Sequence, residues 1–209
     1  MFLCGRRAVM RILVTGFEPF GADTINASAQ TLELLPQSLG EHQILTGMLP
    51  VSFGRSARVL DELISGNAPE AVVLLGEAGG RTQINLERFA VNQMSARIAD
   101  NDGAQPAGER IEPDGPIRRE ATMAVPSELM VSEDAGRFVC NRIAYHAYGL
   151  PIPAQFIHVP AVRPHRQRAL IGAETDAGAP VSSELSVVQL AASLTRYLQD
   201  ICFHYKPGG

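Results

Sequence analysis

The stretch Arg11-Ile-Leu-Val-Thr-Gly16 is a short apolar run that stops at a glycine, the pattern of a strand buried on both faces. Outward from it, Phe17–Ala27 reads as a loop with Pro19, Gly21 and Asn26, and Ser28–Leu35 has helical spacing that stops before Pro36. Gln43–Leu49 reads as a second strand and Pro50–Gly54 as a loop. Arg55–Ser65 places Val59, Leu60, Leu63 and Ile64 on one helical face and closes at Gly66. Ala71–Leu75 supplies a third strand. The order β-α-β-α-β predicts an α/β fold with a parallel, doubly wound sheet.

The second half is less regular. Gly76–Arg81 reads as a glycine-rich turn, Gln83–Asn92 as one alternating strand, and Ala121–Val125 as another. Asp100–Gly115 is polar, and a loop of that length points to a function or an oligomer arm. Ala135–Tyr148 reads as a helix closed by Gly149 and Pro151, Gln155–Val159 as an apolar strand, and Val162–Pro180 as a loop. Ser182 or Ser183 is expected to cap a last helix with Glu184 in its first turn. Its apolar stripe is Val187, Leu190, Ala191, Leu194, Leu198, Ile201 and Cys202. With no repeat and no linker, one α/β domain is expected over residues 11–209. Residues 1–10 are expected to be a disordered extension: Arg11 interrupts any signal-like apolar region and no A-x-A site follows.

Composition narrows the classes. The 209 residues are 45% hydrophobic and 19% charged, too apolar and too weakly charged for a disordered chain. The net charge is −4, the wrong sign for a nucleic-acid binder. No apolar run approaches membrane-spanning length. Three cysteines (Cys4, Cys140 and Cys202) lack any CxxC spacing, so neither a disulfide framework nor a structural zinc is expected. A reducing, intracellular compartment fits free thiols.

Cys140 sits early in a predicted helix, where unpaired amides and the helix dipole favour a thiolate. A buried, inert cysteine is the commoner outcome for such spacing. A cysteine nucleophile needs a base. His146 lies on the same helix but points away from Cys140. His204 suits a helix C-terminus, and His42 and His165 fall in polar loops. His158 closes the strand Gln155-Phe-Ile-His-Val159, at the carboxyl end where ligands gather in open α/β sheets, although a satisfied core histidine fits equally. Glu87 sits between Leu86 and Phe89, where an acid is costly to bury unless paired. It could orient an imidazole or form a surface ion pair with Arg88. Gly76–Gly80 lacks the spacing of a phosphate loop, and no HExxH or EF-hand pattern occurs.

Taken together, Val14-Thr-Gly-Phe-Glu-Pro-Phe-Gly21 with Asn26, Gly79-Gly-Arg81, Ile84-Asn-Leu-Glu-Arg-Phe-Ala-Val-Asn92, Arg97-Ile-Ala-Asp-Asn101, Asp134-Ala-Gly-Arg-Phe-Val-Cys-Asn141 and Phe156-Ile-His-Val-Pro160 resemble the pyroglutamyl-peptidase I family. They fall in family order over roughly residues 11–165. The resemblance implies an open three-layer α/β/α sandwich with a mostly parallel twisted sheet. It implies a cysteine exopeptidase that removes N-terminal pyroglutamyl residues, with Cys140 as nucleophile, His158 as general base and acid, and Glu87 orienting His158. It further implies Arg97 near the oxyanion site, Phe17 and Phe20 flanking the lactam ring, and Asn26 shaping that loop. A cytoplasmic enzyme without metal or cofactor, forming dimers or tetramers, is the implied setting. Two departures stand out. Glu77 replaces the family's usual Gln at the ring pocket, and Glu133-Asp134 replaces small or hydroxyl residues. A phosphorylase-like transferase and a catalytically impaired pyroglutamyl-binding protein are the alternatives. The first lacks a phosphate cradle, and an intact Cys140, His158 and Glu87 speaks against the second.

Overall fold

A computed structural model describes residues 9–123, 125–164, 167–173 and 183–204. Its sheet is built out from β1 (Arg11–Phe17), which pairs in parallel with β3 (His42–Leu49) on one side and β4 (Ala71–Ala78), the middle strand, on the other. Beyond β3 lies the short antiparallel β2 (Ser38–Leu39). Beyond β4 comes β11 (Ala154–Pro160), parallel to it through the register His158↔Gly76. The sheet is completed by β5 (Asn85–Glu87), antiparallel to β11, and by β10 (Met130–Ser132) at the edge, giving the order β10-β5-β11-β4-β1-β3-β2.

Alternation along the strands builds two cores. Ile12 and Val14 of β1, Val73 and Leu75 of β4, and Ile157 and Val159 of β11 face α1 (Ala27–Glu33) and α4 (Val187–His204). Leu13, Val72, Leu74 and Phe156 face α2 (Ser56–Asn67) and α3 (Val139–Ala147). The result is a three-layer α/β/α sandwich around a mostly parallel sheet. Met10, which the sequence reading assigns to the extension, is 1% exposed; its N–H donates to His42 Nδ1 and its carbonyl accepts from Gln43. Residues 1–8 of the expected extension lie outside the described residues.

The structure corrects several boundaries. The expected strand Gln83–Asn92 is two strands. Arg88 donates its N–H to Ser132 beside β5, and β6 (Phe89–Val91) then leaves the sheet to pair with β9 (Arg118–Glu120). The break is enforced by Asn141 of α3, whose side-chain oxygen accepts the Val91 N–H while its amide donates to the carbonyls of Val91 and Gln93. The expected strand at Ala121–Val125 does not form at residues 121–123 and 125. Ala121 bonds to Arg88 and Thr122 to Ala154, single ties to different partners instead of a ladder. Residue 124 is outside the described residues. The polar stretch after Asn92 contains a small hairpin of β7 (Met94–Ser95) with β8 (Ala107–Glu109).

Helix ends differ too. The α2 helix runs through Gly66 to Asn67 and closes on Ala68 in the left-handed conformation, with Pro69 following. The α4 helix begins later than expected and is capped by Ser186, not Ser183. Gln189 N–H donates to Ser186 Oγ, and Gln189 Oε1 accepts from Ser186 N–H at 2.8 Å, a reciprocal capping box. Ser182 lies outside the described residues. Among the described residues no helix is long and apolar enough to cross a membrane.

Candidate active site

The chain leaves β1 toward β3 on one side, and the sheet resumes with β4 on the other. Strand order therefore reverses between β1 and β4, and a crevice opens at their carboxyl ends. Cys140, His158 and Glu77 line that crevice together with aromatic side chains.

His158 projects from β11 on the same face as Phe156, toward α3. Cys140 is the second residue of α3, closer to the helix start than the sequence reading places it, because Ala135–Phe138 is not helical. The first-turn amides and the positive end of the helix dipole thus sit at the thiol. Gly76 opposes His158 in register, and a Cβ there would come within 2.9 Å of the Cys140 sulfur and 2.6 Å of Phe156, so only glycine lets this strand pass beneath the thiol. The sulfur and the His158 ring face each other in the crevice, close enough for Cys140 to raise the proton affinity of the ring. On the ring's other side Nδ1 lies 2.7 Å from Glu87 Oε1; an ionised carboxylate only accepts, so Nδ1–H is the donor. Burial opposes a charge on His158, but the hydrogen bonds and charges of Cys140 and Glu87 outweigh it and raise its pKa to about 9.

Glu87 is fully buried, and its partner is not Arg88. Arg88 bonds Glu120 at 2.8 Å on the surface. Arg81 instead sets Nη1 2.7 Å from Glu87 Oε1 and donates from Nη2 to the Asp134 carbonyl. The Glu87 backbone carbonyl accepts from the Tyr148 hydroxyl at 2.7 Å and from Gln155 Nε2 at 2.9 Å. His158 and Arg81 thus meet the same carboxylate oxygen, Oε1, while Tyr148 and Gln155 hold the residue by its backbone; among the described residues the buried Oε2 has no hydrogen-bond partner. Sequence reasoning passed over Arg81, Tyr148 and Gln155 as supports, although Arg81 stands in the quoted Gly79-Gly-Arg81.

Aromatic rings form one side of the crevice. Phe17 and Phe20 both line it, joined by Phe138, whose ring packs 5.2 Å from Phe20 and 5.2 Å from Phe53. Phe138 and the strip Leu170–Ala173 complete the wall and were not anticipated. Asn26 caps α1, accepting from Ser28 N–H, and donates to the Glu18 carbonyl, which holds the loop carrying Phe20. Asn101 clamps the same loop through Gly21 N–H and the Pro19 carbonyl.

Arg97 supports the crevice from behind its lining. It does not line the crevice: its guanidinium donates to the Ile171 carbonyl and its N–H to Gly172, so it holds the Leu170–Ala173 wall. Glu77 reaches neither solvent nor an empty space. Both carboxylate oxygens are taken by Arg163, at 2.6 and 2.8 Å, and Oε2 also accepts the Ala27 N–H. Asp134 forms the turn before α3, accepting from Gly136 N–H and pairing with Arg137, while Glu133 is exposed near Arg88. Among the described residues, no group of three or more His, Cys, Asp or Glu side chains is placed to hold a metal ion.

A sequence profile of the pyroglutamyl peptidase family matches residues 10–197. The chain belongs to that family. As a family member it is an enzyme, a cysteine peptidase of the pyroglutamyl type. Its relatives include the pyrrolidone-carboxylate peptidase of Streptococcus suis, 38% identical over 167 residues that make up 72% of this chain and 78% of the relative. That of Lactobacillus johnsonii is 39% identical over the same shares. The crystal structure of pyroglutamyl peptidase I from Bacillus amyloliquefaciens superposes with a TM-score of 0.79 at 32% identity, covering 93% of this chain and 98% of that one. Pyrrolidone carboxyl peptidase from the hyperthermophile Pyrococcus furiosus gives 0.75 at 28% identity, over 91% and 97%.

The peptidase has a second described thiol, which lies away from the crevice. Cys202 is 9% exposed on the inner face of α4, and burial raises its pKa. Iodoacetamide on the folded protein, followed by peptide mass mapping, is expected to modify the Cys140 peptide and spare the Cys202 peptide. Equal labelling would show that α4 does not cover the sheet. Cys4 and His165 lie outside the described residues.

Proposed function

We propose that this chain hydrolyses the amide bond after an N-terminal pyroglutamyl residue, through an acyl-enzyme on Cys140. The observation that carries the reading is a buried Glu87–His158–Cys140 relay that ends at a helix N-terminus, under a crevice walled by phenylalanines. The Cys140 thiolate attacks the pyroglutamyl carbonyl, and the resulting oxyanion is held by backbone N–H groups in the first turn of α3. His158, charged in the resting pair, gives its proton to the leaving amine as the C–N bond breaks. It then takes a proton from water, whose oxygen attacks the thioester; the C–S bond breaks and free pyroglutamate leaves. Glu87 keeps Nδ1 protonated and stabilises the imidazolium, while Arg81 and Tyr148 hold Glu87. Arg97 holds the wall beside the reacting carbonyl through Ile171 and Gly172. The chemistry calls for no cofactor. We place the enzyme in the cytoplasm as one α/β domain over residues 11–209, acting on pyroglutamylated peptides as a dimer or tetramer and on neither nucleic acid nor membranes.

The direct test is release of a fluorescent amine from its pyroglutamyl amide, with and without iodoacetamide. Release that iodoacetamide abolishes supports the reading, and no release overturns it.

The pH dependence has a definite sign. His158 has its pKa raised from 6.5 to about 9, so the proton it must donate is lost as pH rises through about 9. The value of kcat/KM is expected to fall on an alkaline limb near there, a limb that belongs to the coupled His158–Cys140 pair. The same shift stabilises the fold fully below about pH 6.5, and that contribution disappears between 6.5 and about 9. A rate profile flat through and beyond pH 9 would contradict the charged resting pair.

A further inference from the structure

Arg163 stands just past the end of β11 and belongs to none of the motifs that mark the family. Its side chain is only 4% exposed. Nη1 donates to Glu77 Oε2 at 2.8 Å and Nη2 to Oε1 at 2.6 Å, a planar two-point fork; Nη2 also reaches Asp23 Oδ2 at 2.8 Å. Glu77 Oε2 accepts the Ala27 N–H that opens α1, and Asp23 Oδ2 accepts the Leu170 N–H. Glu77, Asn26 and Leu170 all line the crevice. One buried guanidinium therefore ties the end of β4, the entry to α1 and the Leu170 wall to one point. Asp23 is 20% exposed and outside the crevice lining, so among the described residues the charge facing the crevice, apart from the Cys140–His158 site, is the Glu77–Arg163 pair.

We infer that Arg163 is a specificity-determining residue of this peptidase: by cancelling the Glu77 carboxylate it leaves a crevice wall that accepts a neutral lactam and offers no counter-ion to an ammonium. The inference rests on the reading of the crevice as a pyroglutamyl site. An unpaired carboxylate in a water-poor cleft attracts a cation far more strongly than it does in water. Arg163 removes that attraction in a way a mobile lysine would not, because its fork occupies both carboxylate oxygens at once. It stays charged there: burial opposes the guanidinium, but Glu77 and Asp23 outweigh burial and raise its pKa.

Two ring probes of matched size read the charge of the wall directly: neutral 2-pyrrolidone and cationic pyrrolidinium. Each is measured by the concentration that protects Cys140 from iodoacetamide, a readout that does not need turnover, and by competitive inhibition. Wild type is expected to bind 2-pyrrolidone at least about tenfold better than pyrrolidinium. In Arg163→Met, Glu77 loses its partner; the preference is expected to shift toward pyrrolidinium by about tenfold or more, and KM for the pyroglutamyl amide to rise more than kcat falls. Removing both charges, in Glu77→Gln with Arg163→Met, is expected to restore the wild-type preference to within a few-fold, which simple damage to the wall would not do. Glu77→Gln alone leaves the cation and is expected to weaken pyrrolidinium further. An unchanged preference in Arg163→Met, or, should that variant not fold, in Glu77→Gln, overturns the inference. Wild-type cleavage of the pyroglutamyl amide is the separate check on the underlying reading: its absence refutes the reaction while ring protection of Cys140 still tests the wall.

Discussion

Replacing Cys140 with serine is expected to lower turnover of a pyroglutamyl amide by on the order of 10⁴-fold or more while leaving the melting temperature nearly unchanged. One sulfur becomes one oxygen, so the volume above Gly76 barely changes and no buried contact is lost. What disappears is the nucleophile. A serine hydroxyl is far harder to ionise than a thiol, and His158 would lose the sulfur that helps raise its pKa. The hydrogen bond to Glu87 would remain, so the substitution isolates chemistry from architecture. Cys202→Ser is the control. It places a hydroxyl in an apolar position of α4 and is expected to cost stability without lowering kcat. A Cys140→Ser protein with normal turnover would end the peptidase reading.

The first half of the fold was legible because β1, α1, β3, α2 and β4 each have a simple period. Strands buried on both faces read as apolar runs, and each helix has one apolar stripe. The second half was less legible for reasons that can be named. Met130 and Val131 of β10 are 58% and 60% exposed, so this edge strand carries no burial pattern. The alternation Ile84, Leu86, Phe89, Val91 is the same for one strand as for two short ones. What divides them is the Asn141 side chain some 50 residues away, which a local period cannot report. The start of α4 was mistaken for another reason. Ser183 and Ser186 are both good caps, and only Gln189, three residues after Ser186, completes a box.

The site divides in the same way. Cys140, His158 and Glu87 each stay open on local grounds, and it is the family resemblance that singles them out. Their supports are not singled out, because support is a long-range property. Arg81 competes with the adjacent Arg88 for Glu87 on sequence grounds, and geometry alone awards the carboxylate to Arg81. Arg97 stands in a family motif that implies a place near the oxyanion, and its long-range bond to a backbone carbonyl of the wall is a contact that no local pattern reports. Glu77 and Arg163 are 86 residues apart, so the departure at Glu77 was visible in the sequence and its compensation was not.

That compensation settles the direction of the second large effect, discrimination among ring and open-chain N-termini. A pyroglutamyl residue is neutral at its N-terminus because the lactam has consumed the α-amine. Phe17, Phe20 and Phe138 give the crevice an aromatic wall, and among the described residues the one carboxylate lining it already has both oxygens on Arg163. A glutaminyl or glutamyl amide would bring an ammonium into that crevice with no counter-ion, at a cost of several kcal/mol. Each 1.4 kcal/mol is about tenfold, so kcat/KM is expected to favour the pyroglutamyl amide by roughly a thousandfold or more. A prolyl amide is a sharper comparison: its ring has the same size, but it carries a charged nitrogen and lacks the lactam carbonyl, so whatever donor reads that carbonyl is left unpaired. It is expected to fail by a similar factor. Comparable kcat/KM on prolyl and pyroglutamyl amides would sink the neutral-pocket account even with Cys140 essential, since the thiol would then be cutting without reading the ring.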